Sequence, residues 1–486
     1  MRTTFSGIEI ARRALQAQQR SLDVVGHNVA NANTPGYARQ VAVHTASNPY
    51  SAPALQHNMA NGQIGTGVQI SQVTRMRDQF IETRLRQENH NYGYWKSMQE
   101  GLSQIELIFN EPSENNIHHA LDMYWDSLQQ VSKDPENESI RTVVLQRASV
   151  VAETIRHSRS QLGRLRDNMN GLVNVKVDEI NSLAERIAQL NEQIGKVSSS
   201  GNNPNDLLDK RDELLQRLSE ITNIEVMEDS TNMVMVSIGG ATLVQRNQTT
   251  PLTVKVSNEG IIPQYERQEV VWSGMGTPVE ITAGELGGIL LFRDQEVQGF
   301  IEQLNDWTAD LINAVNHIHQ QGYSLNDLPG TVFFVAEQPE DQGAIDLDDD
   351  PSLTIRLNIA SPRDIAASAH QIAGETVIGN GEIALELASL RYNPTRDRGI
   401  TLADQFNSII SSLGVKSQEA QIMLDNEDVL VNHLKNLRES VSGVSLDEEM
   451  ADMIRFQHSY SAAARIMTVM DEALDTIINR LGMVGR

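Results

Sequence analysis

Residues 26–40 read GHNVANANTPGYARQ, and one pattern ends here while another begins. Upstream, Ile8, Ala11, Leu15, Gln18, Leu22, Val25, Val29 and Ala32 recur at alternating intervals of three and four, with only Gln18 polar. That spacing lines one face of a helix. Ser6 and Glu9 stand at capping-box distance, so a helix is expected from about Gly7 to Ala32. The quoted stretch then stops it. Asn31 and Asn33 tolerate non-helical dihedrals, and Pro35 pushes Thr34 toward extended geometry. Pro35 and Gly36 suit the central positions of a type II turn. Beyond it Tyr37, Arg39, Val41 and Val43 alternate with Ala38, Gln40, Ala42 and His44, the period of an extended arm.

The other end of the chain mirrors this. Ser445 and Glu448 make a second candidate capping box. Met453, Phe456, Tyr460, Ala463, Met467, Met470, Leu474, Ile477, Leu481 and Val484 then follow the same alternation, every one apolar or aromatic. A strict seven-residue repeat forms a narrow seam that favours supercoiling against another helix. Such a seam needs a cover, and periodicity alone favours pairing of the two terminal helices within one molecule.

Between the ends the chain goes out through helices, makes a β region and returns. MANGQIGTGVQI (59–70) reads as glycine turns leading into a strand, and lacks the Lys-Ser/Thr of a phosphate loop. From Arg75 to Ile221 the pattern is helical. Ile180, Leu183, Ile187, Leu190 and Ile194 line one helix; SSSGNNPND (198–206) breaks it; Leu207, Leu214, Leu218 and Ile221 line the next. Val234, Val236 and Ile238 alternate, as do Leu252, Val254 and Val256, and short strands are expected at 270–272 and 279–281. GELGGILLFRDQEVQGF (284–300) opens a helix to about Gln321, a strand is expected at 353–357, and helices return from Thr401 to Ser440. The fold class is therefore mainly α with an inserted β domain: paired terminal heptad helices, a long antiparallel helical bundle and a β-rich domain. The expected segments are 1–70 with 441–486 for the termini, 71–222 with 284–322 and 373–440 for the bundle, 223–283 for the β domain, and 323–372 as a mixed stretch.

With 486 residues, two to four domains are expected. Aromatics are only 5%, which argues for helices packed by aliphatic residues. Lys and Arg number 39 against 64 Asp and Glu, and the net charge of −25 disfavours nucleic acid and anionic membranes as partners. There is no cysteine, hence no disulfide or thiolate metal site. The first twenty residues are too polar for a secretory leader, and no apolar run is long enough to cross a bilayer.

No catalytic grouping emerges, and no cofactor or metal site is expected. His317 and His319 point to nearly opposite sides of a helix, and His118-His119 fares no better. Asp346, Asp348 and Asp350 start like a calcium loop, but Pro351 stands where its glycine belongs and Leu357 where its glutamate does. Arg156, Arg159, Arg164 and Arg166 read as an ion-paired helix face.

NVANANTPGY resembles the N-terminal signature of bacterial flagellar rod, hook and hook-associated proteins, with Asn28, Asn31, Asn33, Thr34, Pro35, Gly36 and Tyr37 matching it position by position. Arg39 and Gln40, within GYARQ, resemble its continuation in the hook-associated branch. So do IGTGVQISQVTRMRDQF (64–80), IHHALDMYWDSLQQVSKDP (117–135), GNNPNDLLDKRDEL (201–214), GELGGILLFRDQ (284–295) and SGVSLDEEMADMIRFQHSYSAAARIM (442–467). The resemblance implies a non-enzymatic building block, exported by the flagellar type III apparatus and forming a ring between hook and filament outside the cell. It implies that the bundle forms a second shell and the β domain an outer face. It implies as partners further copies of the chain, the hook protein, hook-associated protein 3 and a cytoplasmic export chaperone at the C-terminal stripe. It also reverses the expectation for the seams: Ile8, Ala11, Leu15, Leu22, Val25 and Val29, and Met453 to Leu481, should stay open until subunits assemble. Alternatives are a hook or distal rod protein of the same family, or a secreted enzyme or adhesin carried on such termini.

Overall fold

The computed structural model describes residues 5–48, 65–109, 116–257, 267–336, 350–395 and 398–480. Helix α1 (Ser6–Ala30) leads to strands β1 (Gln40–Ala46) and β2 (Val68–Arg75). Helices α2 (Gln79–Phe109), α3 (Ile117–Lys133), α4 (Glu138–Ser199) and α5 (Asn205–Ile221) follow. Six strands come next: β3 (Ile224–Glu228), β4 (Val234–Ile238), β5 (Ala241–Gln245), β6 (Gln248–Thr249), β7 (Leu252–Ser257) and β8 (Arg267–Trp272). Helix α6 (Gly284–Leu291) passes through a π turn (Phe292–Val297) into α7 (Gln298–His319). Short pieces follow: β9 (Phe334–Ala336), α8 (Pro351–Thr354), β10 (Ile355–Leu357), β11 (Gln371–Ile372), β12 (Glu375–Thr376) and α9 (Glu382–Ser389). Helices α10 (Leu402–Ser442) and α11 (Leu446–Asp475) close the chain, with a π turn over Thr476–Arg480.

Two compact units result. The first takes residues 1–90, 180–251 and 427–486; the second takes 91–179 and 252–426.

In the first unit α1 pairs with α11 and also carries the antiparallel β1–β2 hairpin. Gly7 lies against Met470, and Asn28 bonds Glu449. Twenty-one residues along α1 thus match twenty-one back along α11, so the helices run antiparallel and in register. Small buried residues, Ala11, Ala17 and Ser21, let α1 approach its neighbours closely. Ser21 Oγ meets His44 Nε2 at 2.9 Å, which ties the helix to β1. Strands β3-β4-β5-β6 form an antiparallel sheet. Buried Asn191 of α4 anchors it, donating to Val234 O and Arg246 O and accepting from Val234 N–H. Ile180, Ile187 and Ile194 on α4 and Leu218 and Ile221 on α5 are fully buried, as their spacing anticipates.

The second unit concentrates the few large rings. Tyr124 of α3 meets Trp125, Phe333 and Phe334 with centroids 4.9–6.1 Å apart, and Phe109, Phe300, Phe406 and Trp307 form another cluster. Trp307 Nε1 donates to Leu402 O. Helix α3 packs on α9, and β7 pairs antiparallel with β8. A Cβ at Gly288 would stand 2.6 Å from Tyr94 O, so only glycine permits this crossing of α6 over α2.

Several expectations are corrected. Ser6 is already helical and makes no cap; Glu9 instead takes Arg12 and Arg13 at 2.6–2.9 Å, because guanidiniums one turn on outcompete the backbone. Residues 353–357 are half helical turn and half strand. No strand forms at 279–281, where Val279 N–H merely continues the bonding to Val270 O. The helix from Gly284 contains a π turn that the spacing did not reveal. Arg159 does pair, with Asp350 at 3.0 Å, but buried Arg166 bonds the Gln298 amide. Asp346 and Asp348 lie outside the described residues, as do 59–64, Leu481 and Val484. Among the described residues no acidic or histidine cluster could hold a metal, and no helix is long and apolar enough to cross a membrane.

Candidate functional site

The turn after α1 forms as its residues dictate. Asn31 caps the helix and returns its side-chain amide to His27 O at 3.0 Å. Tyr37 N–H reaches Thr34 O at 3.2 Å around Gly36, whose φ of +77° is the left-handed geometry a type II turn demands. Thr34 Oγ1 donates to Asn31 Oδ1.

Inside this turn sits a polar node centred on Asn28, which is 1% exposed. Its Oδ1 accepts from Tyr37 OH at 2.8 Å and from Gln40 N–H at 3.0 Å. Its Nδ2 donates to Gln40 O at 2.9 Å and to Glu449 Oε2 at 3.0 Å. All four hydrogen-bonding positions of the amide are used, as a buried polar group requires. One side chain thereby holds α1, the start of β1 and the first turn of α11.

Arg39 repeats the link from outside. Its backbone N–H donates to Ser442 O, Nε to Glu449 at 2.7 Å and a terminal nitrogen to Glu448 at 2.8 Å, with Asp452 at 3.6 Å. Burial pulls its pKa down, but these three carboxylates outweigh it and hold the guanidinium firmly charged. Gln40 Nε2 donates to Asp206, and Asn205 donates to Gln40 Oε1. Ala38 N–H donates to Asp209 at 3.2 Å. Burial, with the carboxylates of Asp206, Asp209 and Glu449, pushes the Tyr37 hydroxyl well above its usual range, so it stays a donor to Asn28.

The signature residues thus divide. Asn28, Tyr37, Arg39 and Gln40 face inward, whereas Asn33, Thr34 and Pro35 are exposed. The exposed part lines a cleft of about 250 Å³ with Arg77, Arg438 and Glu439. Glu449 is the central residue that sequence reading missed. Nothing local marks it, since an acidic residue in the first turn of a helix is favourable at the helix dipole whatever its partner. Ser445 does cap α11, accepting from Glu448 N–H, but the Glu448 side chain turns to Arg39.

In the single chain the two stripes lie side by side. Ala11 and Val25 are buried, and Ile8, Leu15, Leu22 and Val29 are half-buried. On α11, Leu474 and Ala463 are buried, Met453, Phe456 and Met467 half-buried, and Tyr460 and Met470 partly exposed, as is Ile477 in the π turn that follows. The seams therefore close on each other within one chain, because the returning chain presents α11 beside α1. Heptad spacing also concealed a second apolar line on α11: Met450, Ile454, Ile466 and Val469 are each more than half exposed.

The chain's two terminal helices are thus joined through the fully bonded Asn28 node. Comparison with known proteins places the chain among flagellar axial components. Residues 8–37 match the family described as flagella basal body rod protein, and 438–481 the C-terminal part of the flagellar basal body rod FlgEFG proteins. Residues 102–334 match the helical domain of flagellar hook-associated protein FlgK. The flagellar hook-associated protein 1 of Bacillus subtilis is 31% identical over the full length of both chains. That of Escherichia coli is 24% identical over 97% of this chain and 99% of its own. The flagellar hook junction protein FlgK from Burkholderia pseudomallei shares the fold, with a TM-score of 0.62 over 74% of this chain and all of its own, at 18% identity. The chain belongs to the flagellar hook-associated protein 1 family, whose members are structural proteins and not enzymes.

Proposed function

We propose that this chain is the building block that joins flagellar hook to filament, exported by the type III apparatus and assembled through α1 and α11. The observation that carries the reading is the half-used α11. One apolar line lies along α1, while Met450, Ile454, Ile466 and Val469 remain bare. Two pairs of exposed apolar side chains on one helix suit a contact surface. Further copies of the chain, the hook protein and hook-associated protein 3 are the partners that would cover it. Before export, when α1 has not yet closed on it, the Met453–Leu481 stripe offers a chaperone a helix to grasp in a groove. Residues 223–283 face outward in this scheme, and the inward half of the signature sets the direction in which α11 leaves.

Cells lacking the gene should build hooks, release flagellin into the medium and carry no filaments; normal filaments would refute the role. Ile466→Asp should leave the monomer helical, since the side chain is already exposed, yet fail to restore filaments to that strain. Full restoration would remove the assembly surface from α11.

A further inference from the structure

Gln18 interrupts the apolar stripe of α1. The helix packs on α11, β1 and β2, and the half-buried Gln18 side chain is carried into that packing. Its amide oxygen is enclosed, and among the described residues it has no hydrogen-bond partner. The fully buried polar side chains of the same helix fare differently. Asn28 uses all four of its positions. Ser21 Oγ donates to Ala17 O at 3.1 Å and meets His44 Nε2 at 2.9 Å. The single Ser21 proton is spent on Ala17 O, so His44 presents Nε2–H to Ser21 Oγ. The hydroxyl one turn from Gln18 therefore has no proton left to give it.

An enclosed acceptor gives up its water and receives nothing in exchange, so closing the packing over Gln18 weakens it. One polar residue in an otherwise apolar helix seam lowers stability in the same way. Its place along the pair matters. Gly7 lies against Met470 at one end and Asn28 bonds Glu449 at the other, with Gln18 between them. The Asn28 node ties its own end, so local opening runs from the Gly7–Met470 end toward it, and Gln18 lies on that path.

We propose that Gln18 is a built-in weak point that keeps the α1–α11 pair of the free chain exchanging between closed and open, so that the apolar stripe of α11 is uncovered for its next partner. The weakening follows from the packing alone; its purpose rests on assembly through these two helices. Methionine matches glutamine in length, lack of branching and helix propensity, so Gln18→Met removes the amide and leaves the helix as it was.

Hydrogen exchange on the full chain, read by mass spectrometry, compares the native protein with Gln18→Met and with Gln19→Met, a change at the exposed neighbour. Gln18→Met should slow exchange over residues 8–25 and 452–474 together, by roughly tenfold to a hundredfold. Gln19→Met should stay within about twofold of native. Unchanged exchange in Gln18→Met, equal slowing by Gln19→Met, or slowing confined to one of the two helices would overturn the weak point. In a strain lacking the gene, Gln18→Met should restore several-fold fewer filaments than the native gene. Full restoration despite slowed exchange would overturn the release role and leave the junction role standing, whereas normal filaments with no copy of the gene would refute the junction role itself.

Discussion

Replacing Asn28 by Asp tests the signature node most directly, because it changes one atom's character and almost nothing of the shape. The retained carboxyl oxygen still accepts from Tyr37 OH and Gln40 N–H. The other oxygen replaces Nδ2 and now faces Gln40 O at 2.9 Å and Glu449 at 3.0 Å. One neutral and one charge-assisted hydrogen bond are lost, together roughly 2–4 kcal/mol. Two carboxylates this close and buried cannot both ionise, so one must bind a proton at further cost. Arg39 against Glu449 offsets part of that repulsion. The net expectation is a local loss of roughly 3–5 kcal/mol. Gln40 N–H should then exchange with solvent roughly a hundredfold to several thousandfold faster. Adding Glu449→Gln should restore roughly 1–2 kcal/mol beyond additivity, since the glutamine amide can donate to the new carboxylate. Hydrogen exchange read by mass spectrometry over residues 25–45 measures both quantities. Exchange within about twofold of the native chain, or a double variant no better than the sum of the singles, would refute the claim that Asn28 couples the three elements.

Tyr124 is fully buried and among the described residues its hydroxyl has no hydrogen-bond partner, so Tyr124→Phe should be neutral or stabilise by about 1 kcal/mol in urea unfolding; a clear loss would show a missed partner. His319 is buried neutral, with Nε2 accepting from Ala366 N–H and Nδ1–H donating to Thr331 O, and burial pushes its pKa down to about 4. The unfolded chain therefore takes up a proton near pH 6.5 that the folded chain refuses. Stability should be intact above pH 6.5 and fall by about 3 kcal/mol by pH 4, and His319→Gln should shrink that fall by the same amount. Gly288→Ala should cost about 1–3 kcal/mol, because the added methyl meets the Tyr94 backbone and not a movable side chain; an unchanged unfolding midpoint would show that α6 can shift away.

Much of the architecture was legible because it rests on local rules. Periods of three and four located α1, the last part of α4, α5 and α11, and alternation located β4 and β7. The turn at Pro35-Gly36 followed from steric limits that operate within four residues. The misses share a cause, which is competition between partners distant in sequence. Glu9 and Glu448 each had a plausible capping role and each was taken by an arginine. The π turn at Phe292–Val297 leaves the composition of its helix unchanged, so no sequence signal marks it. The concentration of rings around Tyr124 and Phe300 could not be read from an aromatic content of 5%.

The amino-acid order by itself determined which faces of the terminal helices are apolar, where they stop, and that the two ends would need cover. Those are consequences of side-chain period and backbone sterics, which act over one or two turns. Which face covers which was decided only in three dimensions. Asn28 and Glu449 are 421 positions apart, and no local pattern links an asparagine before a turn to a glutamate in a distant first turn. Their hydrogen bond exists because the chain returns on itself, and a buried amide finds its full complement of partners only where several elements converge.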